Sequence, residues 1–247
     1  MKITGLTTYR KHIDLKDSHK MRSALGVNHG NEFVVIRLHT DEGIDGLGEA
    51  TITVRWSGEV PAGCEQVLNE VLQPAVIGLE IGDFDELNCR LDAVCSRNWF
   101  AKSAIEMACW DALGKAQEKP VYELLGGAVR PLRFESRFSL GAYTEEHARQ
   151  RAEELVSWGF RTIKVKVGTV PEEDVARVRA VREVIGFDRD LVIDANCGWD
   201  VGTAIDCVQQ LEDCRLDLVE QPTPDGDYRG MARFRCETGV KVLADDI

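Results

Sequence analysis

The strongest constraint on this chain is a rhythm in its second half: short apolar runs alternate with helical patterns, and three of the runs end on a carboxylate. Leu191-Val192-Ile193 leads into Asp194, Leu216 to Val219 into Glu220, and Val240 to Ala244 into Asp245. The acids stand 26 and 25 residues apart, the length of one strand–helix unit. Strands alternating with helices of this size imply crossover connections and therefore a parallel sheet. Five strands are expected, at 133–140, 161–166, 191–194, 216–220 and 240–244. The intervening helices start at Thr144, Pro171, Val201 and Tyr228, with Thr144 a candidate N-cap and Pro171 at a first helical position. Such a series fits a doubly wound sheet or part of a closed (β/α) barrel of the TIM type.

In a parallel barrel this spacing puts Asp194, Glu220 and Asp245 side by side at the C-terminal rim, where catalytic groups collect. Three crowded carboxylates repel unless a cation neutralises them, and hard oxygen donors suit Mg²⁺, with Mn²⁺ as an alternative. The opposite reading is that each acid merely begins a solvated loop. Lys164 and Lys166 lie two apart on a strand otherwise made of Ile163, Val165 and Val167, so both ammonium groups share one face. Held close, they repel, which favours one of them acting as a base near neutrality. The alternative is an edge strand whose lysines face water. A metal-bound substrate carboxylate, with a lysine moving the proton on the adjacent carbon, combines these features into proton abstraction through an enolate. Asn196, two residues past Asp194, is placed to orient a ligand or the substrate.

The first half has a different character. A strand is expected at Leu6–Arg10, a polar mobile loop at Lys16–Asn31, and a hairpin of Phe33–Leu38 with Gly46–Ala50. Helices are expected at Gly63–Val76, Phe84–Val94 and Ala101–Glu118. Leu124-Leu125-Gly126-Gly127 closes this part. The chain therefore divides into an α+β domain at 1–130 and a partial barrel at 131–247. Gly46 and Gly48 are read as turn residues rather than a phosphate loop, whose full spacing is absent, and Trp99, Trp110 and Trp158 as core or interdomain packing. Glu106 and Asp111 are read as fixing the domain junction, and Trp199 as lying at the rim. A formal charge of -12 leaves no basic stripe for nucleic acid or an anionic membrane. The eight cysteines contain no CxxC pair and are expected to be reduced structural thiols in a cytoplasmic protein.

The segments Ala101–Gly126, Gly46-Leu47-Gly48-Glu49-Ala50, Lys164-Val165-Lys166 and Leu191–Pro222 resemble signatures of the mandelate racemase/muconate lactonizing enzyme family of the enolase superfamily. The resemblance implies an N-terminal capping domain followed by the first five strands of a barrel. It implies Asp194, Glu220 and Asp245 as Mg²⁺ ligands, Lys166 as acid/base and Lys164 as its electrostatic helper. The KxK pattern is similar to that of the muconate lactonizing subgroup. That subgroup holds muconate cycloisomerases, dipeptide epimerases, N-acylamino acid racemases and o-succinylbenzoate synthases, all acting on small carboxylates. The segments around Ser18-His19-Lys20, His29 and Trp56 look most like cycloisomerase specificity loops. His19, His29 and Trp56 are thus candidates for substrate contact, with solvated loop histidines as the other reading. These loops would close over the barrel mouth. Asp246 stands where the family has a glutamate. An opposing lysine is expected beyond Ile247, so the chain reads as C-terminally truncated, a homo-oligomer when full length, and otherwise an inert fragment.

Overall fold

The computed structural model describes residues 1–17 and 20–246. In chain order the strands are β1 (Ile3–Asp14), β2 (Met21–Ser23), β3 (Gly26–Asn28), β4 (Gly30–Thr40), β5 (Gly46–Ile52), β6 (Arg137–Leu140), β7 (Thr162–Lys166), β8 (Asp190–Asp194), β9 (Leu218–Glu220) and β10 (Val242–Leu243). Two compact units result, one of Met1–Leu15 with Gly30–Leu132 and one of Lys16–His29 with Arg133–Ile247.

The first unit is an antiparallel sheet in the order β1-β4-β5, with helices packed on one face. Along β4 the residues Val34, Ile36 and Leu38 are buried while the side chains between them are more accessible, the period of two that a one-sided sheet requires. Strand β1 runs to Asp14, well past the expected Arg10, because its register with β4 continues unbroken from Gly5↔His39 to Asp14↔Gly30. The helix Phe84–Val94 has the expected bounds and is capped by Asp83, whose side chain accepts from the Glu86 amide.

The longest helix, Trp99–Gln117, lies against β5 with its small residues Ala101, Ala104, Ala108 and Ala112 buried. This contact corrects the reading of Gly46 and Gly48. Neither forms a turn: both lie within β5. A Cβ on Gly46 would meet the Ala108 carbonyl oxygen at 1.9 Å, and one on Gly48 would meet that of Ala104 at 1.9 Å. Glycine is required because strand and helix backbones nearly touch. Asp111 likewise serves this packing, accepting from the Leu47 amide at 2.8 Å. Trp110 stacks on Phe84 at 3.7 Å, as packing predicts, whereas Trp99 and Trp158 are 65% and 56% exposed.

The second unit carries an all-parallel sheet in the order β6-β7-β8-β9-β10. Strictly sequential order decides between the two architectures left open by the sequence. A doubly wound sheet reverses direction at a switch point, and this one does not. The sheet comprises five strands of a (β/α) barrel. Ile163, Val165, Leu191, Ile193 and Val219 point to the helix side and form the core with Val178, Val181, Ile205 and Phe234. Thr144 caps its helix by accepting from the His147 amide.

Residues expected to form a mobile loop are built instead into the hairpin β2–β3, paired from Met21↔Asn28 to Ser23↔Gly26. A division at 130 assigns this segment to the first unit, but its contacts place it with the second. The Ala142 amide donates to the Arg22 carbonyl at 2.7 Å, and the Tyr143 hydroxyl donates to the Lys20 carbonyl at 3.3 Å. Three residues without apolar periodicity were enough to hide the short strands. Ser18, His19 and Ile247 lie outside the described residues. No helix among those described is long and apolar enough to cross a membrane.

Gly48→Ala is expected to cost about 3 kcal/mol through overpacking against a rigid helix backbone. Urea denaturation should show the loss, and an unchanged midpoint would contradict the close approach.

Candidate active site at the strand ends

The second face of the parallel sheet carries the polar residues. In register, Lys166 pairs with Asp194 and Asp194 with Glu220, so three charged side chains stand at one level across β7, β8 and β9. Lys164 originates one step lower, opposite Val192, and its ammonium reaches up between the two acids. Its Nζ lies 2.6 Å from Asp194 Oδ2 and 2.5 Å from Glu220 Oε1. Lys166 Nζ lies 2.5 Å from Asp194 Oδ2 and 2.8 Å from Asn196 Oδ1. The edge-strand alternative for the lysines is thereby excluded: β7 is flanked on both sides, and Lys164 is only 4% exposed.

Burial and charge act against each other here. Burial pushes the Asp194 carboxyl up, but the ammonium groups of Lys166 and Lys164 outweigh it and hold the group below its ordinary value. For Glu220, burial and the nearby Asp194 charge prevail over the Lys164 hydrogen bond, so its carboxyl is raised. Two neighbouring acids with opposed shifts differ because Asp194 meets two ammonium groups within 2.6 Å, whereas Glu220 meets one that close and Arg137 only at 3.1 Å.

The backbone after each strand is bent to hold this pattern. Asn196 and Cys197 adopt φ of 41° and 64°, and Gln221 a φ of 40°, all in the left-handed region that side chains rarely occupy. The turn lets the Asn196 amide donate to Asp194 Oδ1 at 2.9 Å while its side chain receives Lys166. Gly168 and Gly198 allow the loops after β7 and β8 to touch: a Cβ on Gly168 would lie 2.2 Å from the Ala195 oxygen. Asp246 accepts from Asn196 Nδ2 at 3.2 Å, and its other oxygen is buried without a partner among the described residues. Burial raises the Asp246 carboxyl.

Two participants escaped sequence reasoning. Arg137 on β6 donates to Glu220 Oε2 at 3.1 Å, and nothing local to Arg137 signals a partner 83 residues away. Gln221 is fully buried, and its Oε1 accepts the Asp245 and Asp246 amides at 2.9 and 3.1 Å. Its position directly after Glu220 within the Leu218–Pro222 run was the available signal.

One expectation requires correction. The three acids do not stand side by side. Asp194 and Glu220 are buried together, but Asp245 is exposed, and among the described residues no three His, Cys, Asp or Glu side chains are grouped to hold a metal. The reason is register. Leu243, not Asp245, is opposite Glu220, and β10 is two residues long with a single neighbouring strand among those described. As donors, Asp194 and Glu220 do fit a hard cation: both offer carboxylate oxygens at adjacent strand ends, and a positive group already sits between them. Trp56 belongs to the first unit, 47% exposed with its ring 5.7 Å from Phe100. His29 is exposed in the segment after β3. Trp199 is buried in the core, and its Nε1 has no partner among the described residues. Burial pushes the Cys64 and Cys109 thiols up to about 12, leaving them inert.

Known proteins match this arrangement along the whole chain. A model of the mandelate racemase/muconate lactonizing enzyme N-terminal domain matches residues 6–126, and an enolase C-terminal domain-like model matches residues 147–247. The hydrophobic dipeptide epimerase of Enterococcus faecalis is 33% identical over 246 residues, covering 100% of this chain and 68% of that protein. The chain belongs to the mandelate racemase/muconate lactonizing enzyme family. Muconate cycloisomerase 1 of Pseudomonas putida is 31% identical over 236 residues, covering 94% of this chain and 62% of that protein. A crystal structure of the E. faecalis dipeptide epimerase with Mg and the dipeptide L-Leu-L-Tyr superposes with a TM-score of 0.93 at 32% identity, covering 100% of this chain and 68% of that one. The chain thus spans about two thirds of the length of these relatives. These relatives are an epimerase and a cycloisomerase, both isomerases.

Lys164→Ala removes the cation shared by two buried carboxylates and is expected to cost about 3–5 kcal/mol, the penalty for leaving buried charge unpaired. A loss below 1 kcal/mol in urea unfolding would show that the bridge is not holding these strand ends.

Proposed function

We propose that this chain carries the proton-transfer half-site of an isomerase that acts alpha to a substrate carboxylate. The observation that supports it is Lys166, whose ammonium lies 2.5 Å from Asp194 and 2.8 Å from Asn196 at the exit of a parallel strand. In its neutral form Lys166 takes the α-proton and the C–H electron pair passes into the adjacent carboxylate as an enolate. Return of a proton from Lys166 exchanges it with solvent at retained configuration, and inversion requires a second acid on the opposite face of the carbon. Asp194 and Asn196 fix where Nζ points, so the proton moves along one direction. Lys164 supplies a fixed positive charge beside the developing negative one. Asp194 and Glu220 would hold Mg²⁺, with Mn²⁺ as an alternative, and Asp245, exposed in this structure, would complete the set only by moving toward them. When bound, that cation supplies positive charge for the substrate carboxylate.

The substrate reading favoured here is a dipeptide or N-acylamino acid, undergoing epimerisation. Its support is that the relatives matching over the full chain include the hydrophobic dipeptide epimerase and the N-succinyl-L-Arg/Lys racemase of Bacillus cereus. A cycloisomerase, the reading that the segments near His29 and Trp56 suggested, stays in view because two muconate-type relatives are each 31% identical. Both would take a small carboxylate, whose anionic group is attracted locally by Lys164, Lys166 and Arg137 despite the overall acidity.

Incubation with L-Leu-L-Tyr and Mg²⁺ in deuterated water should place deuterium on an α-carbon, and Lys166→Ala should abolish it. Turnover of cis,cis-muconate with no dipeptide exchange would decide for the cycloisomerase. Mg²⁺ should raise the melting temperature of the parent chain and leave that of Asp194→Asn unchanged. Absence of exchange with every substrate, together with no Mg²⁺-linked stabilisation, would overturn the proposal.

A further inference from the structure

Beneath the catalytic face lies a buried ion pair that proton transfer does not use. Asp174 and Arg177, one turn apart in the helix Pro171–Ile185, are 0% and 2% exposed and joined at 2.6 Å. Burying such a pair is costly, and apolar residues of similar volume often serve stability as well or better. Its contacts indicate what it does instead. Asp174 accepts from the Thr169 amide at 2.8 Å and from the Thr169 hydroxyl at 2.7 Å, fixing the loop that follows β7. Arg177 donates through Nη1 to the carbonyl of Lys166 at 3.1 Å and through Nε to the carbonyl of Tyr143 at 2.5 Å. Lys166 is the last residue of β7, and Tyr143 follows β6, so one guanidinium ties together the two loops leaving neighbouring strands. A planar fork of donors does this where a lysine could not.

From Tyr143 the connection continues. Its hydroxyl donates to Lys20, and the preceding amide, of Ala142, donates to Arg22, the middle residue of β2. A Cβ on Gly141 would meet the side chains of Tyr143 and Met21 at 2.9 and 3.0 Å, and one on Gly198 would meet Ala24 at 2.7 Å. The hairpin is therefore seated directly on the strand-end loops with no room for slack.

We infer that Arg177 is a positioning residue that couples the β2–β3 hairpin to the backbone of Lys166, with Tyr143 as the intermediate link. The hairpin and the proton-transferring lysine then share one rigid support, and loosening that support disturbs both. The inference takes the role of Lys166 from the proposal above, but the mechanical coupling can be tested separately.

Hydrogen–deuterium exchange on the 247-residue chain is the first measurement, comparing the parent with Arg177→Met, Arg177→Lys and Tyr143→Phe. Arg177→Met and Arg177→Lys should each raise exchange at least tenfold in peptides covering 20–28 and 162–169, leaving the helix Trp99–Gln117 unchanged. Tyr143→Phe, which keeps the buried pair, should raise exchange in 20–28 alone. The second measurement is α-proton exchange of L-Leu-L-Tyr with Mg²⁺. Tyr143→Phe should raise KM severalfold at a kcat within twofold of the parent, and Arg177→Lys should lower kcat at least tenfold. Unchanged exchange at 20–28 in all three variants would overturn the coupling. So would a uniform rise across the unit in the Arg177 variants without the localised Tyr143→Phe effect, since that marks a purely structural pair. If the parent shows no α-proton exchange, the catalytic reading fails, while the deuterium pattern still decides the coupling.

Discussion

The arrangement depends on one ammonium group between two buried carboxylates. Lys164 meets Asp194 at 2.6 Å and Glu220 at 2.5 Å where almost no water reaches. Two acids at that separation in a low-dielectric setting repel strongly, and without a cation one would have to take up a proton. The lysine therefore sets the charge of the whole rim. It also frees Lys166, one step higher, to contact Asp194 and Asn196 at the mouth of the strand.

Parallel register is what delivers that geometry. Because neighbouring strands all run one way, residues following similar apolar runs arrive at the same end, and Lys166, Asp194 and Glu220 fall on one level. The helix-facing residues between them pay the cost of burial with apolar area, leaving the other face available for charge. Left-handed conformations at Asn196, Cys197 and Gln221 then turn the chain sharply enough for main-chain groups to join the side-chain network. Strain of this kind persists only where the surroundings enforce it. Here the Gly168–Ala195 approach and the buried Gln221 side chain do so.

Much of this was legible in the amino-acid order. Helices such as Phe84–Val94 and the strand carrying Lys164 and Lys166 follow from periodicity, capping residues and β-branched runs, which are local properties. The pairing of the lysines with Asp194 was legible too, because the spacing of one strand–helix unit sets neighbours in a parallel sheet. The hairpin at 21–28 was not legible. Its strands are three residues long and polar, and their stability comes from Ala142, Tyr143 and Gly198, more than a hundred residues away. Gly46 and Gly48 misled for a related reason: a glycine needed for a turn and one needed for helix contact look identical until the helix is in place.

By itself the sequence determined the family, the strand–helix rhythm and the identity of the charged residues, since these depend on residue type and spacing along one chain. Only the tertiary structure decided which of those charges meet. Asp194 and Glu220 share Lys164, whereas Asp245 stays exposed, because register and strand length at β10 set the level it reaches. It also decided that the strands are sequential rather than doubly wound, that Arg137 reaches Glu220, and that Arg177 reaches the carbonyls of Lys166 and Tyr143. Contacts across 83 and 34 residues are products of packing, and no local pattern encodes them.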